Sequence, residues 1–358
     1  VILNDVNGDI ETSDKFAQLA LALLDRLNAR EAQAQVYMGV YLFLKPWKDP
    51  LRSTLVPLYA GYQSGLATGD TEFAAYLIGA HAVFVYYAGE HVDTAEAAAA
   101  AAIAAAGRLK QERTLFVPRI YRQIALNLQG RGLDPARLTG EAYDDETMPS
   151  LHREARDITG HLYVSRLFLA YLFQQNRQAV DYAAEAERHL DGLKGIYFAA
   201  MVHFYAALAR LALFPEASRP ERKIILKQVR THQSKLKQWA KYAPMNFLHK
   251  WYLVDAERAR VMGDHKEART AYEQAIKLAH EHEFTSDEAL AHELAARFYA
   301  DRQDPGLASF YLRNAHSAYL QWGAVAKVTA LEARHPELAA SAATTSNGGA
   351  AGATADSQ

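Results

Sequence analysis

The 358-residue chain contains no cysteine, so disulfides, thiolate zinc sites, iron–sulfur clusters and a cysteine nucleophile are excluded together. That absence fits a reducing, cytoplasmic setting. Charge of one sign is lacking too. The 39 Lys and Arg against 41 Asp and Glu leave a formal net charge of −2, which argues against a generic nucleic-acid or acidic-membrane binder. No window reads as the roughly 18 strongly apolar residues of a membrane span, the longest candidate being the alanine run at Ala97 to Ala106. No basic stretch leads into an apolar one as in a secretory leader, so the chain reads as soluble. It opens on Val1 without a Met, which suggests a segment cut from something longer. The common phosphate-binding glycine loops, the kinase H-R-D and D-F-G elements and the G-x-S-x-G elbow are all missing, which points to a segment that is not an enzyme and needs no cofactor.

What is present is helical spacing. Phe16, Leu19, Ala20, Leu23, Leu24 and Leu27 recur at three and four after a Thr12/Ser13 start signal, placing them on one helix face. The same holds for Leu162 to Phe173 and for Ala268 to Ala279. Turn signals fall at Gly69-Asp70, Gly89-Glu90, Gly130 to Gly132, Asn176, Gly263-Asp264 and Asp304-Pro305-Gly306. Small residues at Ala20, Ala101, Ala186, Ala275 and Ala315, with Gly61 between, are spaced by about 40 residues or twice that, the length of a helical hairpin. At these positions a small side chain lets the two helices of a hairpin approach closely. The fold class expected is therefore all-α, an α-α superhelix of seven or eight hairpins that resembles the tetratricopeptide solenoids, although the period exceeds theirs.

Two segments depart from this pattern. Leu133 to Pro149, with its acidic run Glu141, Asp144, Asp145 and Glu146, reads as a long loop. From Ala339 onward the sequence is Ala, Ser, Thr, Gly and Asn, too poor in large apolar groups to offset the entropy of ordering. The division expected is a solenoid over 1–338 and a disordered tail or interdomain linker over 339–358.

Candidate sites are sparse. His280, His282 and His292 do not form H-E-x-x-H and read as solvated surface histidines. Arg219 to Lys250 holds nine basic residues against the single acid Glu221, with Lys223, Lys227 and Arg230 on one stripe. This is a solvated face or a docking surface for an acidic partner, such as the loop at Glu141 to Glu146. Asn246, His249 and Lys250 follow the Pro244 turn and, with Lys235, Lys237 and Lys241, make the densest polar group beside aromatics. They are the candidate interaction surface; Asn246 also reads as a cap for a helix beginning at Phe247. The tyrosines Tyr37, Tyr41, Tyr86, Tyr87, Tyr121 and Tyr163 read mostly as packing between hairpins and as lining of the concave side.

Several stretches carry a more specific resemblance: Lys45-Pro46-Trp47-Lys48-Asp49-Pro50-Leu51-Arg52, Gly61 to Asp70, Leu138 to Ala142, Ala243-Pro244-Met245-Asn246-Phe247-Leu248-His249-Lys250, Glu288 to Tyr299 and Trp322-Gly323-Ala324-Val325-Ala326-Lys327-Val328. Together they resemble the helical-repeat region of large multidomain sensor kinases, in which a serine/threonine-kinase-like domain and an AAA-type ATPase precede the repeats, and a GAF domain and usually a histidine kinase follow. The resemblance implies a non-catalytic sensing or coupling arm whose partners are the neighbouring ATPase, GAF and kinase domains. The alternative is a free-standing tetratricopeptide-type scaffold that binds peptide segments.

Overall fold

The computed structural model describes residues 9–148, 155–193 and 195–339. The expected tail, apart from Ala339, therefore lies outside the described residues, as does Pro149 at the end of the expected loop. The described residues contain α1 (Ile10–Leu27), α2 (Gln33–Tyr37), α3 (Leu55–Thr68), α4 (Thr71–Tyr87), α5 (Val92–Arg108), α6 (Phe116–Leu128), α7 (Arg156–Leu172), α8 (Asn176–Arg188), α9 (Phe198–Leu213), α10 (Arg219–Ala240), α11 (Pro244–Met262), α12 (His265–Glu281), α13 (Thr285–Asp301), α14 (Pro305–Trp322) and α15 (Val325–Arg334). No strand occurs among them, only an isolated bridge between Thr139 and Asp144. The chain is an all-α helical-repeat fold in which successive helices pack on one another.

The turn chemistry explains the repeat. Gly69, Gly263 and Gln303 take left-handed backbone conformations that end one helix. The Asp that follows each of them, at 70, 264 and 304, accepts a hydrogen bond from the backbone N–H three residues on and caps the next helix. Asp9 caps α1 in the same way through Thr12, so the helix starts before the Thr12/Ser13 signal and Ser13 is buried within it.

The helices sort into two layers. α4, α7, α9 and α13 are buried on nearly every side, whereas α5, α8 and α12 bury a single stripe of alanines. Inner helices open at 71, 116, 156, 198, 244, 285 and 325, a spacing of about 40 to 46 residues that suits a helical hairpin. After α6 the outer helix is missing, and the loop 129–148 takes its place. That loop is tied down by two inner side chains. Gln123 accepts from the Ala142 and Tyr143 N–H groups, and Asn127 donates to the Pro135 and Arg137 carbonyls. A Cβ at Gly140 would meet the Gln123 amide at 2.5 Å, so a larger residue there would have to push Gln123 off the N–H groups it accepts from.

Small residues hold close approaches at Gly61, Ala186, Ala275 and Ala315, all buried. Gly61 has room for no more, since a Cβ would meet Leu77 and Tyr37 at 3.1 Å. Ala101 is exposed and Ala20 half-exposed, contrary to expectation: α5 turns Ala95, Ala99, Ala102 and Ala105 inward. In α1, Ile10, Ser13 and Ala17 are buried, while Phe16, Leu19, Leu23 and Leu27, on a shared stripe, are largely exposed. The most apolar long helix is not the alanine run but Phe198–Glu216, long and apolar enough to cross a membrane by length and composition. In this fold it is the centre of the core, packed among α7, α8, α10 and α11.

The array also folds back on itself. The segment 45–52 lies against α11 and the turn before α13: Trp47 donates to the Gly195 carbonyl at 3.1 Å and stacks on Phe247. Arg52 donates to the Ala88 and Glu283 carbonyls. At the far end, Lys327 of α15 donates to the Leu172 carbonyl at the close of α7. Tyr86, Tyr87, Tyr121, Phe168, Phe198 and Trp322 fill the space between the inner helices with edge and stacked ring contacts.

Candidate interaction site

The six residues expected at one surface divide into two groups. Lys235, Lys237 and Lys241 are exposed, while Asn246, His249 and Lys250 are buried at 1%, 2% and 2%. The correction has a physical reason: each of the buried three meets a partner that no local pattern reveals. Asn246 is neither a cap nor a contact for solvent. Its Oδ1 accepts from the Leu51 N–H at 3.0 Å, and its Nδ2 donates to the Pro46 and Asp49 carbonyls at 2.8 Å each. It thus fastens the segment 45–52 to α11. Lys250 Nζ lies 2.7 Å from Asp287 Oδ2 and 4.2 Å from the centroid of the Phe284 ring, while His249 Nε2 lies 2.9 Å from the same carboxylate oxygen. Burial alone would raise the Asp287 carboxyl, but Lys250 and His249 outweigh it and hold it well below the usual carboxylate range.

A second buried network was not legible either. Glu293 receives Lys327 at 2.9 Å, the Tyr319 hydroxyl at 2.9 Å and the Gln174 amide at 3.1 Å. Against the cost of burial, Lys327 and Arg297 keep its carboxyl at about 2. Both networks join helices across the array, so their ion pairs position elements.

The histidines also differ from expectation. His280 is exposed, but His292 is buried against Tyr311. Both lie near Glu288, at 3.2 and 3.8 Å. Among the described residues no group of three His, Asp or Glu is placed to hold a metal ion.

The acidic loop does not meet the basic helix. Glu141 pairs with Arg122 and Arg131, and Asp145 with Arg166. On α10, by contrast, Arg219, Lys223, Lys227, Arg230, Lys237 and Lys241 are all exposed. They fall within an arc of about 80° on a helix roughly 33 Å long, with Lys235 to one side. Among the described residues none of these seven cations has an acidic partner; Lys237 lies over the Trp251 ring. Like charges three and four residues apart on a helix repel by a few tenths of a kcal/mol each. The exposed face of α10 is thus a line of uncompensated positive charge.

Buried histidines give the fold a pH dependence. Burial pushes His161 and His249 down to about 4 and His203 to about 3, against about 6.5 in an unfolded chain. The unfolded state then binds more protons between these values, so stability is full above about pH 6.5 and falls as the pH drops toward 4. Each such group contributes on the order of 3 kcal/mol. Tm measured from pH 7 to pH 4 is expected to fall steadily from about pH 6.5; a flat profile down to about pH 4.5 would contradict neutral buried imidazoles.

No protein-family model matches the chain, and no curated protein sequence matches it. Among solved structures, a circular tandem repeat protein with novel repeat topology and enhanced subunit contact surfaces aligns over 93% of this chain and 83% of its own, at 11% identity and a TM-score of 0.25. So loose an overlay carries no argument about shape or role.

Proposed function

We propose that the chain is a non-catalytic helical-repeat arm that couples neighbouring domains in a multidomain signalling ATPase and histidine kinase. The single observation that carries this reading is the exposed α10 stripe, whose uncompensated charge an acidic surface on a neighbouring domain would neutralise. The stretches on which the family resemblance rests add support, because several of them meet in space. Asn246 holds 45–52, Lys250 reaches Asp287, and Glu293 receives Lys327. Such residues serve packing between repeats, as an arm that transmits movement requires. The aromatics that fill the inner face speak against the second reading, a free-standing scaffold that holds peptides in an open concave groove.

The reading frame around the chain offers a direct test. A phosphate-loop ATPase before it and a histidine kinase after it are expected, and their absence would return the chain to the scaffold reading. In the whole protein, Lys223→Glu, Lys227→Glu and Arg230→Glu combined are expected to cut kinase output about tenfold while shifting stability by no more than about 0.5 kcal/mol per site. Unchanged output would leave the stripe as solvated surface.

A further inference from the structure

We propose that the cleft between α13, α14 and α15 binds a small organic carboxylate with an apolar tail. The cleft measures about 490 Å³, within the range of small-molecule sites. Its walls include Ala296, Ala300, Leu312 and Leu331, and its charged groups include Arg297 and Arg334. Arg297 is exposed into this space and, among the described residues, makes no direct hydrogen bond or ion pair, although Glu293 and Glu257 lie near enough to favour its charge. Unlike Arg52, Arg122, Arg166, Arg210 and Arg260, which each hold a carboxylate, it keeps its guanidinium open to the cleft.

The acid nearest to hand is already taken. Glu293, one helical turn before Arg297, is engaged by Lys327, Tyr319 and Gln174. Behind the cleft the buried Tyr171 hydroxyl has no hydrogen-bond partner. Arg334 donates its Nε to the Ala330 carbonyl and reaches Glu293 only at 3.9 Å, so its outer nitrogens remain available. Glu337 at the rim lies 3.5 Å from His335.

A guanidinium fork matches a carboxylate in two parallel hydrogen bonds. The alanine and leucine walls would take an alkyl or aryl tail out of water. A phosphate has the charge but nothing to lay on those walls, which is why the carboxylate is the ligand chosen. The occupant would brace the last helices against one another and against Gln174 at the end of α7. This is a binding claim about the cleft itself and does not depend on the coupling role proposed for the chain.

The test uses the full chain with octanoate, benzoate and inorganic phosphate as probes, followed by isothermal titration and by thermal shift. Octanoate or benzoate is expected to bind and raise Tm, and phosphate to bind at least about tenfold more weakly. Arg297→Gln is expected to weaken carboxylate binding about tenfold or more, and to lower the unliganded Tm somewhat, because the buried Glu293 then loses one of the two cations that hold it ionised. Ala300→Trp, which keeps the arginine and fills the cleft, is expected to abolish binding. No carboxylate binding at millimolar concentration, equal binding of phosphate, or binding unchanged in both variants would overturn the proposal. Should Arg297→Gln fail to fold, Ala300→Trp alone decides it.

Discussion

Asp287→Ala is expected to destabilise the chain by about 3–5 kcal/mol, because it strands the Lys250 ammonium in the core with no counter-charge. Lys250 and Asp287 are 2% and 5% exposed, so water cannot replace the lost carboxylate. The magnitude reflects the broken pair and not the worth of the pair itself. Removing both charges, with Lys250→Met and Asp287→Leu together, is expected to recover most of the loss, leaving a deficit of about 1–2 kcal/mol because His249 Nε2 loses both of its polar neighbours. Urea denaturation of the two variants beside the parent chain checks both expectations. A single-variant loss under about 1 kcal/mol would mean that Lys250 reaches solvent.

Asn246→Ala is expected to cost about 3 kcal/mol, since the Leu51 N–H and the Pro46 and Asp49 carbonyls lose their partner together. Asn246→Asp has nearly the same shape and should be at least as damaging. It keeps the acceptor for Leu51 but turns a second carboxylate oxygen toward two carbonyls. Proteolysis offers an independent readout: cleavage within 45–52 should become the first event in either variant, whereas in the parent chain the segment is held by Trp47, Arg52 and Asn246. Unaltered cleavage with unaltered stability would show that the contacts of Asn246 are incidental.

These two sites mark where sequence reading stops. The helices and their turns were legible, because three-and-four spacing and the glycine–aspartate turns are local signals that need no knowledge of the rest of the chain. Register within an alanine-rich helix was not: α5 offers alanine on every face, so nothing distinguishes Ala101 from Ala102. The packing face of α1 was not legible for the opposite reason. Its leucines lie on one stripe, but the helix packs through Ile10, Ser13 and Ala17, and pattern alone does not say which stripe finds a neighbour. His249 and Lys250 look like surface residues because their counter-charge lies 37 or 38 residues away on another helix, and Asn246 because its partners lie about 200 residues away. The α10 cations were legible as a stripe, and being exposed is what kept them so. Arg297 gave no signal at all, since nothing in the sequence sets it apart from the other helical arginines.

The clamp between 45–52 and α11 changes how such a chain can be assembled. In an open array each hairpin answers only to its neighbours, so folding can begin anywhere and spread, and a repeat can be lost or gained with small effect. Here the first hairpins cannot be finished until α11 and α13 exist, because the carbonyls of Pro46 and Asp49 wait for Asn246. Loop closure over that distance must be met before its contacts reward it, which slows the search and makes the final step all-or-none. Deleting one interior hairpin would shift the two halves of the clamp out of register, so in evolution the number of repeats is a fixed quantity and not a free variable.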